Sequence, residues 1–467
     1  MKVVKFGGTS LASGEQVRKV FDIVTSDPDR RIVVVSAPGK RYPNDVKVTD
    51  LLIQCAEQYL QYRAQEHGSE NELQRMAMPE SVAAIVKRYE EIADELKMDA
   101  AVISEIEHNL LSILEGDISN EERFFDSVKA SGEDSNARLI AAYFQSRGVD
   151  ATYINPKDAG LIVSDEPGQA QVLPESYDRL YNLREQDGIV IFPGFFGYSE
   201  NGEVITFSRS GSDITGSILA NGVKADLYEN FTDVDAVYSV NPFIVSNPKE
   251  IKELTYHEMR ELSYAGFSVL HDEALIPAFR AGIPVHIRNT NNPDAPGTRI
   301  LNEREQTNGP VIGIASDSGF CSIYVSKYLM NRELGFGRRL LQILENHHLS
   351  YEHTPSGIDD ISVILRQNQF SQREEDQIVS RIYEELQADE VKVEKNLSLI
   401  MIVGEGMRHN VGTTARASKA LAEAGVNIEM INQGSSEVSM MFGVKNKDEK
   451  KAVQALYREF FAGVAVL

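Results

Sequence analysis

The start of the chain places the strongest constraint on its fold. Residues 3–6 and 31–36 are mostly apolar and rich in valine, which is typical of buried strands. Between them, residues 15–26 carry apolar side chains at helical spacing. Because parallel strands need a crossover connection, a strand, a helix and a second strand predict a parallel pair. The chain is therefore predicted to begin as an α/β fold with a mainly parallel sheet.

The loop after the first strand has the composition of a phosphate-binding loop. Residues 5–10 read Lys-Phe-Gly-Gly-Thr-Ser. Glycines let backbone N–H groups approach an anion closely, and the lysine and hydroxyls add charge and further donors. The chain contains neither the P-loop pattern nor a Gly-x-Gly-x-x-Gly motif after a strand. From these residues alone, a plain turn between strand and helix explains the glycines equally well.

Length, charge and cysteine content narrow the class of protein. A chain of 467 residues is long enough for two to four domains of roughly 150 residues. Its 70 acidic and 47 basic residues give a net charge of −23, which opposes binding to nucleic acid. Cys55 and Cys321 are expected to be buried thiols in a reducing cytoplasm. Because a strand is predicted from residue 3 and no long apolar run occurs, we expect neither a signal peptide nor a membrane segment.

The first part of the chain is predicted to be one α/β domain over residues 1–305. From about residue 50 to 130 the pattern is nearly all helical, and we interpret it as a helical excursion from the α/β core. Strands and helices then alternate until a polar, proline-rich stretch at residues 289–297. The loss of pattern after this stretch places the domain boundary near residue 305.

Beyond that boundary the pattern of elements repeats. Residues 306–395 and 396–467 each follow the order expected of a ferredoxin-like α+β module, with strands and helices in β-α-β-β-α-β sequence. The apolar segment at residues 311–315 is a candidate strand of the second module. In that case the first module is an insertion within the second.

Four further polar clusters stand at the ends of predicted strands or the starts of predicted helices. They are residues 36–40 with Thr49 after them, residues 131–133 before a helical pattern, residues 207–215, and residues 230–238. A strand end, a helix cap or an Asx turn explains most of them individually. The third cluster holds more serine, arginine and aspartate than a helix cap needs.

Together these motifs resemble those of aspartate kinases, which belong to the amino acid kinase family. The matching segments, in the order and spacing of that family, are residues 5–10, 131–133, 209–213 and 232–235. Residues 426–437 resemble the second ACT module of the same enzymes. The resemblance covers almost the whole chain. It implies the amino acid kinase fold, with a mainly parallel sheet sandwiched by helices, followed by two ACT modules, and the length leads us to expect a monofunctional enzyme.

The resemblance implies transfer of the ATP γ-phosphoryl group to the β-carboxylate of L-aspartate, giving 4-phospho-L-aspartate. This reaction is the first step of lysine, threonine and methionine biosynthesis. Because the carboxylate is already ionised at neutral pH, it needs no general base, and the obstacle is charge repulsion between two anions. The implied catalytic residues are Lys5 beside the phosphoryl oxygens and Asp213, which orients Lys5 or a metal-bound water. Mg²⁺ is expected to arrive with ATP, without a metal site made of side chains and without a tightly bound cofactor.

The resemblance also implies binding residues of matching charge. Recognition of aspartate requires a cation for a carboxylate and an anion for the α-ammonium group. The implied aspartate-binding residues are Arg209, Glu133, Thr49 and Ser212. The implied ATP-binding residues are Lys5, Gly7, Gly8, Thr9, Ser10, Thr232, Asp233 and Tyr238.

Two positions depart from the pattern of the family. Phe243 and Ser268 stand where the resemblance leads us to expect cations that contact the nucleotide phosphates. Neither side chain can take over that role. Arg288 and Lys40 are candidates to compensate.

The C-terminal modules imply regulation by an amino acid. ACT modules commonly pair side by side and bind amino acids at their interfaces, so the resemblance implies a homodimer or higher homo-oligomer. Lysine is the expected effector. The candidate effector contacts are Glu352, Asn427, Asn432 and Gln433.

Two alternatives remain at this stage. One is another kinase of the same fold that acts on glutamate, acetylglutamate or carbamate, and the paired modules and residues 131–133 argue against it. The other is an amino acid sensor with weak catalysis, which the missing cations would permit. The joint presence of Lys5, Glu133, Arg209 and Asp213 favours an enzyme.

Overall fold

The computed structural model describes residues 1–65, 72–208, 210–267, 269–271, 273–305, 309–434 and 438–461. Arg209 and Ser268 therefore lie outside the described residues. The chain divides into two compact units. The first comprises Met1–Val237, Glu250–Arg260 and Val269–Arg304, and the second comprises Tyr238–Lys249, Glu261–Ser268 and Glu305–Leu467.

The strands before residue 305 form one large sheet and two small ribbons. They are β1 (Lys2–Phe6), β2 (Arg30–Val35), β3 (Ala151–Tyr153), β4 (Ile189–Pro193), β5 (Phe196–Tyr198), β6 (Val204–Thr206), β7 (Leu227–Thr232), β8 (Val237–Tyr238), β9 (Glu250–Ile251), β10 (Glu253–Thr255), β11 (Val285–Asn289) and β12 (Thr298–Leu301). The large sheet has the order β10-β12-β11-β7-β1-β2-β4-β3. All its neighbouring strands are parallel except β11 and β12. The predicted α/β class with a mainly parallel sheet is confirmed.

Ten α-helices lie in this same part of the described chain. They are α1 (Gly14–Thr25), α2 (Val48–Gln65), α3 (Glu72–Leu96), α4 (Ala101–Leu114), α5 (Glu121–Ser146), α6 (Pro156–Ala159), α7 (Glu175–Leu180), α8 (Gly211–Gly222), α9 (Tyr256–Tyr264) and α10 (Ile276–Ala281). The helical excursion predicted for residues 50–130 corresponds to α2, α3, α4 and the start of α5. None of the helices in the described ranges combines the length and the apolar character that a bilayer crossing requires.

Alternation along β1 directs its side chains to two layers of helices. Val4 and Phe6 pack into the core formed with α1 to α5, whereas Lys5 points to the opposite face because successive side chains of a strand alternate. On that opposite face α8 packs against β1. α1 begins after Ser13, whose hydroxyl accepts the N–H of Gln16 as a helix cap. The central strand is thus enclosed by helices on both sides, and its side chain at Lys5 lies on the α8 side.

The second unit contains one five-stranded antiparallel sheet with four α-helices among its described residues. Its strands are β13 (Gly313–Ser326), β14 (Asp360–Arg366), β15 (Glu390–Val403), β16 (Met430–Asn432) and β17 (Ser439–Lys445), and its helices are α11 (Phe336–Asn346), α12 (Gln372–Leu386), α13 (Thr413–Glu423) and α14 (Glu449–Phe460). The order of the sheet is β14-β13-β15-β17-β16, and all its pairs are antiparallel.

Two of these strands run through both predicted modules. The candidate strand at residues 311–315 overlaps the start of β13, and β15 crosses the predicted module boundary between residues 395 and 396. Ile314, near the start of β13, shares a core with Ile400 and Phe442 of the second module. Ile323, near its end, shares another core with Val363 of the first module. Along the sequence, the first module therefore lies between two parts of the second.

Candidate active site

Most of the predicted site residues lie near the carboxyl ends of four neighbouring parallel strands. β1, β2, β4 and β7 end at the same edge of the sheet because they are parallel. The glycine loop follows β1, the loop with residues 36–40 follows β2, and the turn with Thr232 and Asp233 follows β7. This edge is where ligands bind in open parallel sheets.

Lys5 and Asp213 form a buried ion pair at this edge. The Lys5 Nζ lies 2.6 Å from the Asp213 Oδ1, and the two side chains are 9% and 12% exposed. Asp213 lies in the first turn of α8, where its backbone N–H donates to the Ser210 carbonyl oxygen at 2.9 Å. The structure thus brings together the two residues predicted to be catalytic.

The glycine loop after β1 is held against the loop after β2 by direct backbone contact. The Gly39 N–H donates to the Gly8 carbonyl oxygen at 2.8 Å. A Cβ on Gly39 would lie 2.5 Å from the carbonyl carbon of Gly8, and a Cβ on Gly8 would lie 2.9 Å from the Ala37 carbonyl oxygen. Only glycine fits at both positions without displacing backbone. A Cβ on Gly7 would lie 3.5 Å from the Lys5 Nζ, so the loop also passes beside the ammonium group.

The expectation that residues 131–133 precede a helix is wrong. They lie in the middle of α5. Gly132 has a packing role there, since a Cβ at this position would lie 2.9 Å from the Leu52 Cδ1 and 3.1 Å from the Ala37 Cβ. The glycine therefore allows α5 to approach α2 and the loop after β2, and it brings the next residue to the strand ends.

That next residue, Glu133, is a buried carboxylate with an unused acceptor. It is 5% exposed, and its Oε2 has no hydrogen-bond partner among the described residues. Burial raises the pKa of Glu133 to about 8, although backbone hydrogen bonds from Ala37 and from Glu133 itself oppose the shift. A buried ionised carboxylate is unfavourable unless it is paired. The position of Glu133 therefore suits a ligand that brings a cation.

Three further predicted residues in the described part of the first unit lie around the same edge. Ser212 lies against Gly194, where a Cβ would lie 2.6 Å from the serine Oγ, and Gly194 follows β4. Thr49 is the second residue of α2 and is half-buried. The Thr232 hydroxyl donates to the Asp233 Oδ1 at 3.2 Å.

Phe243, one of the positions that depart from the expected pattern, belongs to the second unit, whereas both candidates to compensate belong to the first. Phe243 is 93% exposed and, like Tyr238, belongs to the second unit. Arg288, one of the two candidates to supply the missing charge, donates from its Nη1 to the Glu229 Oε1 at 2.9 Å. Lys40, the other candidate, is exposed in the loop after β2. Its place beside Gly39 keeps it at the ligand-binding edge.

Two residues of α3 support the site and were missed in the sequence. Arg88 donates from its Nη2 to the Gly39 carbonyl oxygen at 2.9 Å, and Tyr89 donates from its hydroxyl to the Gly132 carbonyl oxygen at 2.8 Å. Both side chains are buried. The signal in the sequence was an arginine on the apolar face of a predicted helix, because such a charge needs a buried acceptor. α3 thus holds the loop after β2 at Gly39 and helix α5 at Gly132.

In the second unit, three of the four candidate effector contacts already have partners within the protein. The Tyr264 hydroxyl donates to Glu352, and the Arg366 Nε lies 3.6 Å from the Glu352 carboxylate. Asn427 donates to Glu429 at 2.9 Å. Asn432 lies with its Nδ2 3.2 Å from the His353 Nδ1, and Gln433 is exposed. A ligand at Glu352 would have to compete with an arginine and a tyrosine.

Comparison with known proteins relates this geometry to a family. The sequence profile of the amino acid kinase family matches residues 1–289, and that of the ACT domain matches residues 400–460. Aspartokinase 3 of Bacillus subtilis is 70% identical over 466 residues, with full coverage of both chains. The chain belongs to the aspartokinase family. The prediction of an aspartate kinase with an amino acid kinase fold and ACT regulation is therefore confirmed.

Solved aspartokinase structures show the same fold. One is the crystal structure of Clostridium acetobutylicum aspartate kinase, described as an allosteric enzyme, with 37% sequence identity and a TM-score of 0.85. The match covers 98% of this chain and 100% of the Clostridium chain. Another is Escherichia coli aspartokinase III in complex with aspartate and ADP (R-state), with 26% sequence identity and a TM-score of 0.77. The match covers 99% of this chain and 100% of the E. coli chain. The same aspartokinase in complex with lysine and aspartate (T-state) covers 99% of each chain and has a TM-score of 0.75.

Proposed function

We propose that this aspartokinase transfers the γ-phosphoryl group of Mg–ATP to the β-carboxylate of L-aspartate, and that lysine inhibits it through the ACT modules. The observation that carries the proposal is that one ligand-binding edge holds both a buried cation and a buried carboxylate with an unused acceptor. Lys5 stands beside the glycine loop, and Glu133 carries an acceptor without a partner in the described part of the chain. Aspartate with ADP bound to the E. coli relative supports the same pair of ligands here.

The aspartate end of the site is proposed to be defined by charge. The α-ammonium group of aspartate would pair with the Glu133 Oε2, which supplies the cation that this buried carboxylate otherwise lacks. Arg209 is assigned to a substrate carboxylate, since guanidinium groups bind carboxylates in a planar, bidentate geometry. Thr49 and Ser212 add hydroxyl donors. These charges select an amino acid over a simple dicarboxylate.

The phosphoryl end is proposed to work by electrostatic stabilisation. Negative charge spreads over the phosphoryl oxygens in the transition state. The Lys5 ammonium group and the backbone N–H groups at Gly7 and Gly8 would stabilise that charge. Preorganised donors of this kind lower the free energy of a charged transition state substantially. Asp213 orients Lys5 through the 2.6 Å contact. No residue is needed as a general base, because the nucleophile is already ionised.

The ACT modules are proposed to sense lysine. They are also proposed to join copies of the chain into a homodimer or higher homo-oligomer, and the enzyme is proposed to act in the cytoplasm. The E. coli relative has an R-state with aspartate and ADP and a T-state with lysine. An effector inhibits by binding one conformation more tightly than another. Glu352 is a candidate contact for the effector ammonium group, which would displace Tyr264 or Arg366 from it.

An assay for aspartyl hydroxamate tests the proposed reaction. With ATP, Mg²⁺, aspartate and hydroxylamine, the acyl phosphate is expected to be trapped as the hydroxamate, and added lysine is expected to reduce its formation. Replacing aspartate with glutamate, acetylglutamate or carbamate should give little product. Equal product with glutamate would identify another amino acid kinase. Product no greater than in the reaction without enzyme would favour a weakly catalytic sensor.

Gly39→Ala is expected to impair the nucleotide end of the site. The new Cβ would lie 2.5 Å from the Gly8 carbonyl carbon and 2.8 Å from the Thr9 nitrogen, so the glycine loop must move. We expect kcat/KM for ATP to fall by roughly 10- to 100-fold and stability to fall by about 1–3 kcal/mol. Steady-state kinetics and thermal melting measure the two effects. Gly337→Ala is the control, since a Cβ at Gly337 meets nothing within 4 Å, and equal kinetics for both variants would contradict the prediction.

A further inference from the structure

One face of strand β7 carries two buried polar side chains where apolar ones would fill the same space. Tyr228 and Asn230 are 0% and 2% exposed, and they point to the same face of the sheet because they are two residues apart. β7 lies between β1 and β11 in the middle of the sheet. Buried polar groups are unfavourable without hydrogen bonds. Their partners therefore indicate why these residue types stand here.

Both side chains are bonded to a single residue of α8. The Asn230 Nδ2 donates to the Asp213 Oδ1 at 2.7 Å, and the Tyr228 hydroxyl donates to the Asp213 carbonyl oxygen at 3.1 Å. Gly216, one turn along α8, makes room for the tyrosine, because a Cβ there would lie 2.5 Å from the Tyr228 hydroxyl oxygen. One strand thus holds both the side chain and the backbone of Asp213.

The same oxygen of Asp213 also receives Lys5. The Lys5 Nζ lies 2.6 Å from the Asp213 Oδ1, and Lys5 and Asn230 are direct neighbours across β1 and β7. The Asn230 amide and the Lys5 ammonium group both donate to this one oxygen, and together they fix the rotation of the Asp213 carboxylate group. Further N–H donors of the ammonium group can then serve a phosphoryl oxygen.

We propose that Asn230 is a positioning residue for phosphoryl transfer. It holds the carboxylate of Asp213 so that Lys5 remains directed at the phosphoryl group, while Tyr228 fixes the first turn of α8. The inference rests on the proposed function of Lys5 and Asp213. An amide suits the position because it donates a hydrogen bond without adding charge to the pair. A carboxylate there would place a second negative charge beside Asp213.

Asn230→Leu tests the proposal, since leucine is close to asparagine in shape and has no donor. We expect kcat at saturating aspartate and ATP to fall by roughly 10- to 100-fold, while both KM values change by less than about threefold. The matched control is Asn221→Leu. Asn221 donates to the Pro277 carbonyl oxygen at 3.0 Å from the other end of α8, and its loss should leave kcat unchanged. A wild-type kcat for Asn230→Leu would overturn the proposal.

Asn230→Asp provides a second readout that a merely structural residue would not give. The charged and titratable groups facing the new carboxyl are Asp213 on α8, Lys5 on β1 and Tyr228 on β7. When the new carboxyl is protonated it can donate to Asp213 as the amide does, whereas its ionised form repels Asp213. The kcat of this variant is therefore expected to approach that of the wild type at low pH and to fall as pH rises.

The two variants separate this proposal from the proposed function. If Asn230→Leu does not fold, the pH profile of Asn230→Asp decides the matter, and a kcat profile parallel to that of the wild type would overturn the role of Asn230. Failure of the wild-type protein to form aspartyl hydroxamate would instead contradict the proposed function. A normal wild type with an unaffected Asn230→Leu variant contradicts only the positioning role.

Discussion

Replacing Lys5 with methionine is expected to lower kcat by roughly 10²- to 10³-fold, the effect typical of losing one preorganised donor to a transition-state anion. Methionine has a similar length and keeps the apolar packing of the side chain. Asp213 would retain its hydrogen bond from Asn230, so α8 should stay in place. Because Lys5 serves the phosphoryl end, we expect the KM for aspartate to change little. Initial rates at saturating ATP and aspartate measure the effect.

Lys2→Met is the matched control on the same strand. Lys2 is the first residue of β1, its Nζ lies 2.6 Å from the Asp27 Oδ2, and its side chain is 25% exposed. Its loss should leave kcat unchanged and cost at most about 1 kcal/mol in stability. A Lys5→Met enzyme with wild-type turnover would show that the cation has no part in phosphoryl transfer.

Replacing Glu133 with glutamine is expected to raise the KM for aspartate by roughly 10²-fold. Removing one partner of a buried charge pair costs about 3 kcal/mol, which corresponds to that ratio. The kcat at saturating aspartate should fall far less. The free variant should be at least as stable as the wild type, because it no longer buries a carboxylate whose Oε2 lacks a partner among the described residues. Aspartate titrations and thermal melting separate the two effects.

The pH dependence of aspartate binding follows from the same group. Burial raises the pKa of Glu133 to about 8 in the free protein, so at pH 6 to 7 the carboxyl is mostly protonated and must lose its proton to bind an ammonium group. The KM for aspartate is therefore expected to fall as pH rises towards 8, by up to about tenfold per pH unit. Glu133→Gln should remove this dependence.

Asp134→Asn is the control for both measurements. Asp134 is the adjacent residue of α5, and its carboxylate lies 2.9 Å from the Arg138 Nε. Its replacement should alter neither the KM for aspartate nor the pH profile. A wild-type KM that stays constant between pH 6 and 8 would be inconsistent with an ammonium ligand at Glu133.

Much of the fold could be predicted because its signals are local. The valine-rich strands β1 and β2 with α1 between them, and the helical excursion, follow directly from periodicity. The continuity of β13 and β15 could not be seen. Ser316 and Asp317 interrupt the apolar pattern of β13, and the strand shifts its register against β15 near Phe320. Such irregularities depend on pairing with distant strands, which a single sequence does not reveal.

The candidate site was predictable where resemblance supplied the motif. It was not predictable where the role of a residue depends on packing against distant parts of the chain. Lys5 and Asp213 were identified as a pair, and the structure places them in contact. The place of Glu133 within a helix was missed because glycine and serine usually mark helix ends, whereas Gly132 serves close packing. Asn230 lay within a cluster that was attributed to nucleotide binding, and only the geometry links it to Asp213.

The two fourteen-residue strands β13 and β15 also constrain how this protein can evolve. Each of them supplies backbone hydrogen bonds to both modules, so a recombination event that moved one module alone would sever a continuous ladder. The recipient and the donor would each be left with exposed edges prone to aggregation. The sensing half is therefore expected to be exchanged between proteins only as an intact pair. Change in effector preference should arise instead by substitution within that pair.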